Sequence, residues 1–522
     1  MARAFRTDPA GIIADEPVRG RRRCLPSAAD RRAPNVLYVV WDDAGLASWD
    51  CYGGLIETPQ MNWLAARGLR YSQWHTPALS SPARYSLLTG RNVGAAGMAR
   101  AGRGGRGRGR PEQGVTIPAA VGTLAEILGG TGYRSYCLGK WHLSPAERYA
   151  VGGSRQSWPL GRGFDHYYGF LGAQTSQLSP DLVYDNQYVD APYSPADGYH
   201  LSRDLVDMAI EFIRDGIRAA PQQPWFCYVS FGSNNAPRAA PREWADRYRG
   251  GFDMGYDRYR EMALGHRKRL GLVPGDAGLA PTGQCARMAR GPAAPSWQSL
   301  SGEQKRISSR AAESQAGLCS FTDHQIGRVL EYLRESGQLD DTIVVACSAN
   351  AADADGSPHG PPRPADFAVS WPDDSRPGPG PGYPAAAADG RAYSAAWAWA
   401  FGTPYRVSRQ SSPGGSTASP LIVSWPREMN DAAGGVRDQY HHAADIVPTI
   451  LDCAGIDSPR SVNGCRQAPI QGVSMRYTFQ AADAPSAGRP GLTSHRPRAR
   501  SAATAGQPVD AAMRGSRRPA RR

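Results

Sequence analysis

The sequence predicts an α/β protein built on a central, mainly parallel sheet with helices on both faces. Three observations carry this expectation. Strand-like and helix-like runs alternate along the chain. The strand-like runs are apolar at consecutive positions, and several run straight into Asp, Lys, His or Asn. Continuous apolar runs mark strands buried on both faces, the habit of parallel strands in layered folds. Residues just beyond such strands lie where ligands bind in open α/β sheets.

Residues 1–33 are Arg-rich and without periodicity, and read as a flexible leader. Residues 36–41 (VLYVVW) form the first strand, which ends in the paired carboxylates Asp42 and Asp43. A helix-like run at 61–67 and a short strand at 69–71 follow. Residues 78–90 then read ALSSPARYSLLTG. Pro82 near the first helical position, with an amphipathic run behind it, puts Ser80 at a helix N-terminus. The dipole and N–H groups there favour an anion, and Arg84 one turn on adds full charge. This arrangement suits an oxyanion ester, sulfate or phosphate, with Ser80 as the candidate nucleophile. A helix over 123–128 leads into a strand at 134–138, followed by Lys140 and His142. Next come a helix over 201–217, a strand over 225–231 and a helix over 323–336. A strand over 342–347 is followed by Asn350; a strand over 421–425 and a helix over 443–453 close the series. Residues 362–392, rich in Pro, Gly and Ala, read as a long loop.

The formal charge of +13 raises a nucleic-acid reading, so its location matters. Residues 488–522 hold nine Arg and one Asp, and the run RAGRGGRGRGR at 100–110 holds five Arg and no acid. These two stretches account for the whole net charge. No aromatic residue interleaves with either, which argues against nucleic acid as a partner. Nine cysteines, an odd count without a CxxC spacing, argue against a zinc site and against a disulfide framework. No apolar run approaches the ~18 residues of a membrane span and no signal-peptide core is evident, so the expectation is a cytoplasmic protein without a membrane partner.

Beyond these readings, the 78–90 stretch resembles the signature of the sulfatases, in which a Cys or Ser followed by x-Pro-x-Arg is converted to formylglycine; Ser80 occupies that position. NVLYVVWDD at 35–43 resembles the family's first strand and metal-binding carboxylate pair, and GYRSYCLGKWH at 132–142 its second signature. The stretches WPLGRGFDHYYGFLG, PDLVYDNQYV, GFDMGYDRYRE and ADIVPTILDCAGI are similar to bacterial arylsulfatases, so the likeness runs from about 33 to about 486. The resemblance implies the alkaline-phosphatase-like fold, with a catalytic domain over 34–454. It also implies the start of a truncated small C-terminal subdomain over 455–487. From 488 the Arg/Pro/Ala/Ser/Gly composition cannot bury a core and reads as a disordered basic tail. A shifted frame or decayed terminus and an evolved tail are the two accounts of it.

The resemblance further implies hydrolysis of a small-molecule sulfate ester, Ca2+ or Mg2+ as cofactor, and a maturation enzyme that oxidises Ser80. The implied catalytic residues are Ser80, Arg84, Lys140 and His142. Lys140, Asn235 and Arg409 fall at substrate-binding positions, and Asp42, Asp43, Asn350 and Ser80 at metal positions. Three positions depart from the family pattern. Ala349 stands where relatives carry a third metal-binding Asp, with Asp353 and Asp355 out of register. Asn235 replaces a His that contacts sulfate, and Asn cannot donate a proton at neutral pH. Arg409 replaces a Lys, keeping charge but not shape. Alternatives therefore stay open: a catalytically impaired pseudo-sulfatase, or a phosphoesterase using unmodified Ser80.

Overall fold

The computed structural model describes residues 33–92, 116–145, 149, 153–234, 239–279, 295–352, 395–405 and 417–488. The strands are, in chain order, β1 (Asn35–Trp41), β2 (Leu69–Tyr71), β3 (Trp74–His75), β4 (Arg134–Lys140), β5 (His166–Phe170) and β6 (Leu182–Tyr184). They continue with β7 (Gln187–Val189), β8 (Trp225–Ser230), β9 (Thr342–Ser348), β10 (Leu421–Ser424), β11 (Val436–Arg437), β12 (His441–His442), β13 (Ser461–Val462) and β14 (Cys465–Arg466). The helices used below are α1 (Pro59–Ala66), α2 (Ser80–Thr89), α3 (Leu124–Gly129), α4 (Leu201–Ala219) and α5 (Arg242–Asp246). The remainder are α6 (Gly255–Arg269), α7 (Gly302–Glu335), α8 (Ala395–Phe401) and α9 (Ile446–Cys453).

Ten strands make one sheet in the order β11-β2-β10-β9-β1-β8-β4-β5-β6-β7. Its centre, β9-β1-β8-β4-β5, is parallel throughout. Antiparallel pairing enters only towards the edges, where β10 joins β9 and β2, and β6 joins β5 and β7. The expected mainly parallel sheet is therefore present. Every residue of β1 from Val36 to Trp41 is at most 2 % exposed. Alternation along that strand divides the core in two, because successive side chains point to opposite faces. Leu37, Val39 and Trp41 pack with residues of α1, α4, α6, α7 and α8. Val36, Tyr38 and Val40 pack with α2, α3 and α9. Met475 and Phe479 belong to this second cluster, so the chain beyond α9 packs onto the same core.

One helix and three strands differ from expectation. The helix expected over 323–336 is the second half of α7, which starts at Gly302 behind a Ser301–Gln304 capping box. Its first half reads GEQKRISSRAAESQAG and lacks the apolar repeat that marks a core helix. It is buried through small residues: a Cβ on Gly317 would meet the Ala245 backbone at 2.5 Å, so α5 and α7 approach closely there. The strands β5, β6 and β7, on the far side of β4, are also beyond what was expected, and none is longer than five residues. The leader, the 362–392 loop, the Gly/Arg run at 100–110 and the tail from 489 lie outside the described residues.

Candidate active site

The four neighbouring strands β9, β1, β8 and β4 deliver their carboxyl ends to one rim. Asp42 and Asp43 follow β1, Lys140 closes β4 with His142 two residues on, and Asn350 follows β9. Asp43 (φ 55°), His142 (φ 53°) and Asn234 (φ 78°) are non-glycine residues in the left-handed region, each just beyond β1, β4 and β8 respectively. Each such conformation costs on the order of 1–3 kcal/mol and persists where surrounding contacts over-determine it. One such contact is Ser348 Oγ, which accepts from Ala44 N at 3.0 Å and donates to Asn350 O at 2.8 Å. It locks the turn after β1 to the turn after β9.

Helix α2 begins at Ser80, with Leu79 giving no side-chain cap, and its positive end faces this rim. Ser80 Oγ donates to Asp42 Oδ1 at 3.1 Å and accepts from Arg84 Nε at 3.0 Å. Arg84 NH2 lies 3.2 Å from Asp42 Oδ1, and Lys140 Nζ 2.5 Å from Asp42 Oδ2. Arg84 NH1 donates to Tyr228 OH at 3.2 Å, to Lys140 O at 3.3 Å and to Ser230 Oγ. All four members of the cluster, Asp42, Ser80, Arg84 and Lys140, are at most 1 % exposed. A single buried carboxylate thus sits between two cations and the candidate nucleophile.

Burial pulls the Lys140 ammonium below its ordinary pKa, against the opposing pull of Asp42. Burial also works against the Arg84 guanidinium, but Tyr228 and Asp42 outweigh it and its pKa is raised. Tyr228 itself is pushed upward by burial, so it is a neutral phenol beside the guanidinium. Arg84 is therefore a fixed charge, and Lys140 the softer of the two.

On the other side of the turn, Asn350 Nδ2 donates to Asp43 Oδ1, while Asn350 Oδ1 is buried without a hydrogen-bond partner. Two carboxylates, an amide oxygen and a hydroxyl are the hard oxygen donors that calcium and magnesium take. The donors fit such a cation, and the partnerless amide oxygen is the acceptor it would satisfy. Among the described residues no group of three or more His, Cys, Asp or Glu gathers around a common point. Ala349, between Ser348 and Asn350, is fully buried and packs in the apolar cluster on the α2 side of the sheet.

The structure thus brings Asp42, Ser80, Arg84 and Lys140 into direct contact, and pairs Asp43 with Asn350. His142 is tied in through its backbone, its carbonyl accepting from Ser81 Oγ at 2.6 Å and its N–H donating to Leu171 O at 3.1 Å. The Ser80 hydroxyl is bonded by Asp42 and Arg84 rather than by the His142 ring. Asn235 and Arg409 lie outside the described residues. Tyr228, Ser230 and Ser348 are supporting residues that the sequence reading passed over. Their signal was a hydroxyl recurring on one face of the apolar strand WFCYVS, and another closing TIVVACS.

A model of the sulfatase family matches residues 34–456. An arylsulfatase of Klebsiella aerogenes is 27% identical over 457 residues, covering 86% of this chain and 92% of the relative. An uncharacterized sulfatase of Schizosaccharomyces pombe is 28% identical over 441 residues, covering 83% of this chain and 76% of that one. Among solved structures, a protein in complex with its substrate D-glucosamine-2-N,6-O-disulfate superposes with a TM-score of 0.53 at 17% identity, covering 88% of this chain and 82% of that chain. At that identity the likeness speaks for the fold alone, which is the alkaline-phosphatase-like one. No helix among the described residues is long and apolar enough to cross a membrane.

Proposed function

Because the chain belongs to the sulfatase family, whose members hydrolyse sulfuric esters, we propose that it is an arylsulfatase-type hydrolase acting at Ser80 with a weakened cation site. The observation that carries this reading is the buried cluster in which Ser80, Arg84 and Lys140 converge on Asp42. Asp42, Asp43 and Asn350 would hold Ca2+ or Mg2+, which when bound polarises an ester oxygen. Oxidation of Ser80 by a maturation enzyme would turn its hydroxyl into an aldehyde whose hydrate is the nucleophile.

The chain's own residues do the rest. Arg84 Nε holds the reacting oxygen of residue 80, and Tyr228 and Ser230 hold Arg84. Lys140 and the α2 N-terminus draw the tetrahedral anion in and keep it beside that oxygen. His142, half-buried at the rim, would act on the proton of the residue 80 hydroxyl, which in this structure is held by Asp42 and Arg84. Ala349 lowers cation affinity by removing one anionic ligand, since calcium affinity tracks ligand charge. The family resemblance assigns Asn235 the position of a proton donor, where an amide would slow departure of the alcohol, and Arg409 that of a substrate-binding Lys whose charge it would keep.

The test is hydrolysis of 4-nitrophenyl sulfate and 4-nitrophenyl phosphate by protein from a host with a sulfatase maturation system, in EDTA and in calcium. Sulfate release that calcium accelerates and EDTA abolishes is the expected result. Phosphate release alone would favour the phosphoesterase reading. Cation-dependent sulfate binding without turnover would leave a pseudo-sulfatase.

A further inference from the structure

Away from the Ser80 cluster, a cleft of about 330 Å3 opens between the first turns of α4, the short helix α5 and the middle of α7. Its size lies within the range of small-ligand pockets. Its position is set by α7. Gln315 of that helix donates to Asn234 Oδ1, just beyond β8. The cleft residues Phe321 to Arg328 lie about 9–20 Å farther along the helix axis at 1.5 Å per residue. The cleft is therefore separate from the strand-end rim.

Two guanidinium groups line it, Arg203 and Arg328, against the single carboxylate Asp207. Arg328 NH2 lies 2.6 Å from Asp207 Oδ1, and its NH1 donates to Gln325 Oε1 at 2.9 Å. Arg203 NH1 donates to Gly198 O at 3.3 Å, and its guanidinium stands 6.0 Å from the Phe321 ring centroid. No carboxylate lies within ion-pair distance of Arg203 among the described residues. A third guanidinium, Arg247, sits 3.6 Å over the Trp244 ring, whose own neighbour is the exposed His324 at 5.2 Å. Burial, followed by the fields of Arg328, Arg247 and Arg203, holds His324 below its ordinary pKa. Like charges gathered around one carboxylate repel one another, and a surface ion pair returns at most about 1 kcal/mol, so stability alone gives little reason for the arrangement.

We propose that this cleft binds a saccharide unit carrying a sulfate or phosphate ester. Guanidinium forks match the planar, bidentate demand of an oxyanion, which assigns the ester to Arg203 and Arg328. Asp207 and Gln325 supply the mixed acceptor and donor set that ring hydroxyls use. The half-buried Trp244 offers an apolar edge to the ring, with the buried Phe321 packed behind it at 5.5 Å between ring centroids. The ligand is held here, not transformed, and the assignment stands independently of any chemistry at Ser80.

The test is calorimetric titration of the full chain with glucose 6-sulfate, glucose 6-phosphate and glucose, repeated on Arg203→Ala, Arg328→Ala and Lys140→Gln. One or both esters bind and glucose does not. Arg203→Ala and Arg328→Ala each weaken the ester at least tenfold, whereas Lys140→Gln leaves this binding in place. The ester bound more tightly identifies the source. Tryptophan fluorescence supplies a second readout, since the change on binding disappears in Trp244→Phe. No binding by the wild type, equal binding of glucose, or binding lost in Lys140→Gln but kept in both arginine variants overturns the proposal. The last outcome would place the ester at the Ser80 cluster, so it sinks the cleft without touching the sulfatase reading. Absence of aryl sulfate turnover would do the reverse.

Discussion

Replacing Lys140 by Met should reveal how the buried carboxylate at the centre of the site is balanced. Asp42 is fully buried, with Lys140 Nζ at 2.5 Å from one oxygen and Arg84 NH2 at 3.2 Å from the other. Removing the sole partner of a buried charge costs roughly 3–5 kcal/mol. Arg84 and the Ser80 hydroxyl remain here, so the expected loss is the smaller figure of about 2–3 kcal/mol. Methionine keeps most of the side-chain volume, which removes cavity formation from the comparison. The assay is urea denaturation of wild type, Lys140→Met, Asp42→Asn and the double variant, in EDTA and in calcium. In EDTA the single lysine variant should show the full loss. The double variant should recover at least half of it, because the charge left stranded has gone. Calcium should shrink the loss, since a divalent cation at Asp42 and Asp43 takes over part of the work of the ammonium. A loss below about 0.5 kcal/mol, strict additivity in the cycle, or indifference to calcium would refute the reasoning.

Further expectations concern neighbouring residues. Ala349→Asp places a carboxylate in a fully buried position next in sequence to Asn350, the partner of Asp43, so it should lower stability by a few kcal/mol in EDTA and raise calcium affinity at least tenfold by calorimetry. Tyr228→Phe removes one of three NH1 acceptors of Arg84; inorganic sulfate affinity should fall about fivefold, the value of one hydrogen bond of ~1 kcal/mol, with little change in Tm. His200, fully buried, is held by burial at a pKa of about 4, its Nδ1 accepting from Ser202 N and its Nε2 facing Ala239 O. Because the folded value lies below the unfolded ~6.5, the unfolded chain takes the proton first. This contribution is complete above pH 6.5, falls with a one-proton slope as pH drops towards 4, and totals about 3 kcal/mol. His200→Gln should flatten that part of the stability profile, which denaturation midpoints across pH 4–7 would show.

Much of the layered architecture was legible because a strand buried on both faces has no room for polar alternation. VLYVVW and TIVVAC announce themselves, and the acids and amides just beyond them fall at the rim by the geometry of parallel sheets. The helix start at Ser80 was legible for a local reason, Pro82 in the first turn. Other features depend on distant partners and leave no local trace. The direction of β10 is one: its apolar run reads the same parallel or antiparallel, and the structure pairs it antiparallel to β9. The first half of α7 is another, since Ser308, Ala312, Ala316 and Gly317 are buried by close approach and not by bulk. In the site, the Asp pair, Ser80, Arg84 and Lys140 were readable as motifs. That Lys140 and Arg84 share one carboxylate, with Tyr228 and Ser230 beneath the guanidinium, required the strand order β9-β1-β8-β4.

The most direct measurement is the mass of the tryptic peptide spanning residues 71–84, taken from protein made in its own host. Loss of two hydrogens at Ser80 is the predicted result, because only an oxidised side chain in that seat can release the sulfate it captures. A peptide carrying intact serine throughout would contradict the proposed hydrolysis, whatever the arrangement of charge around it.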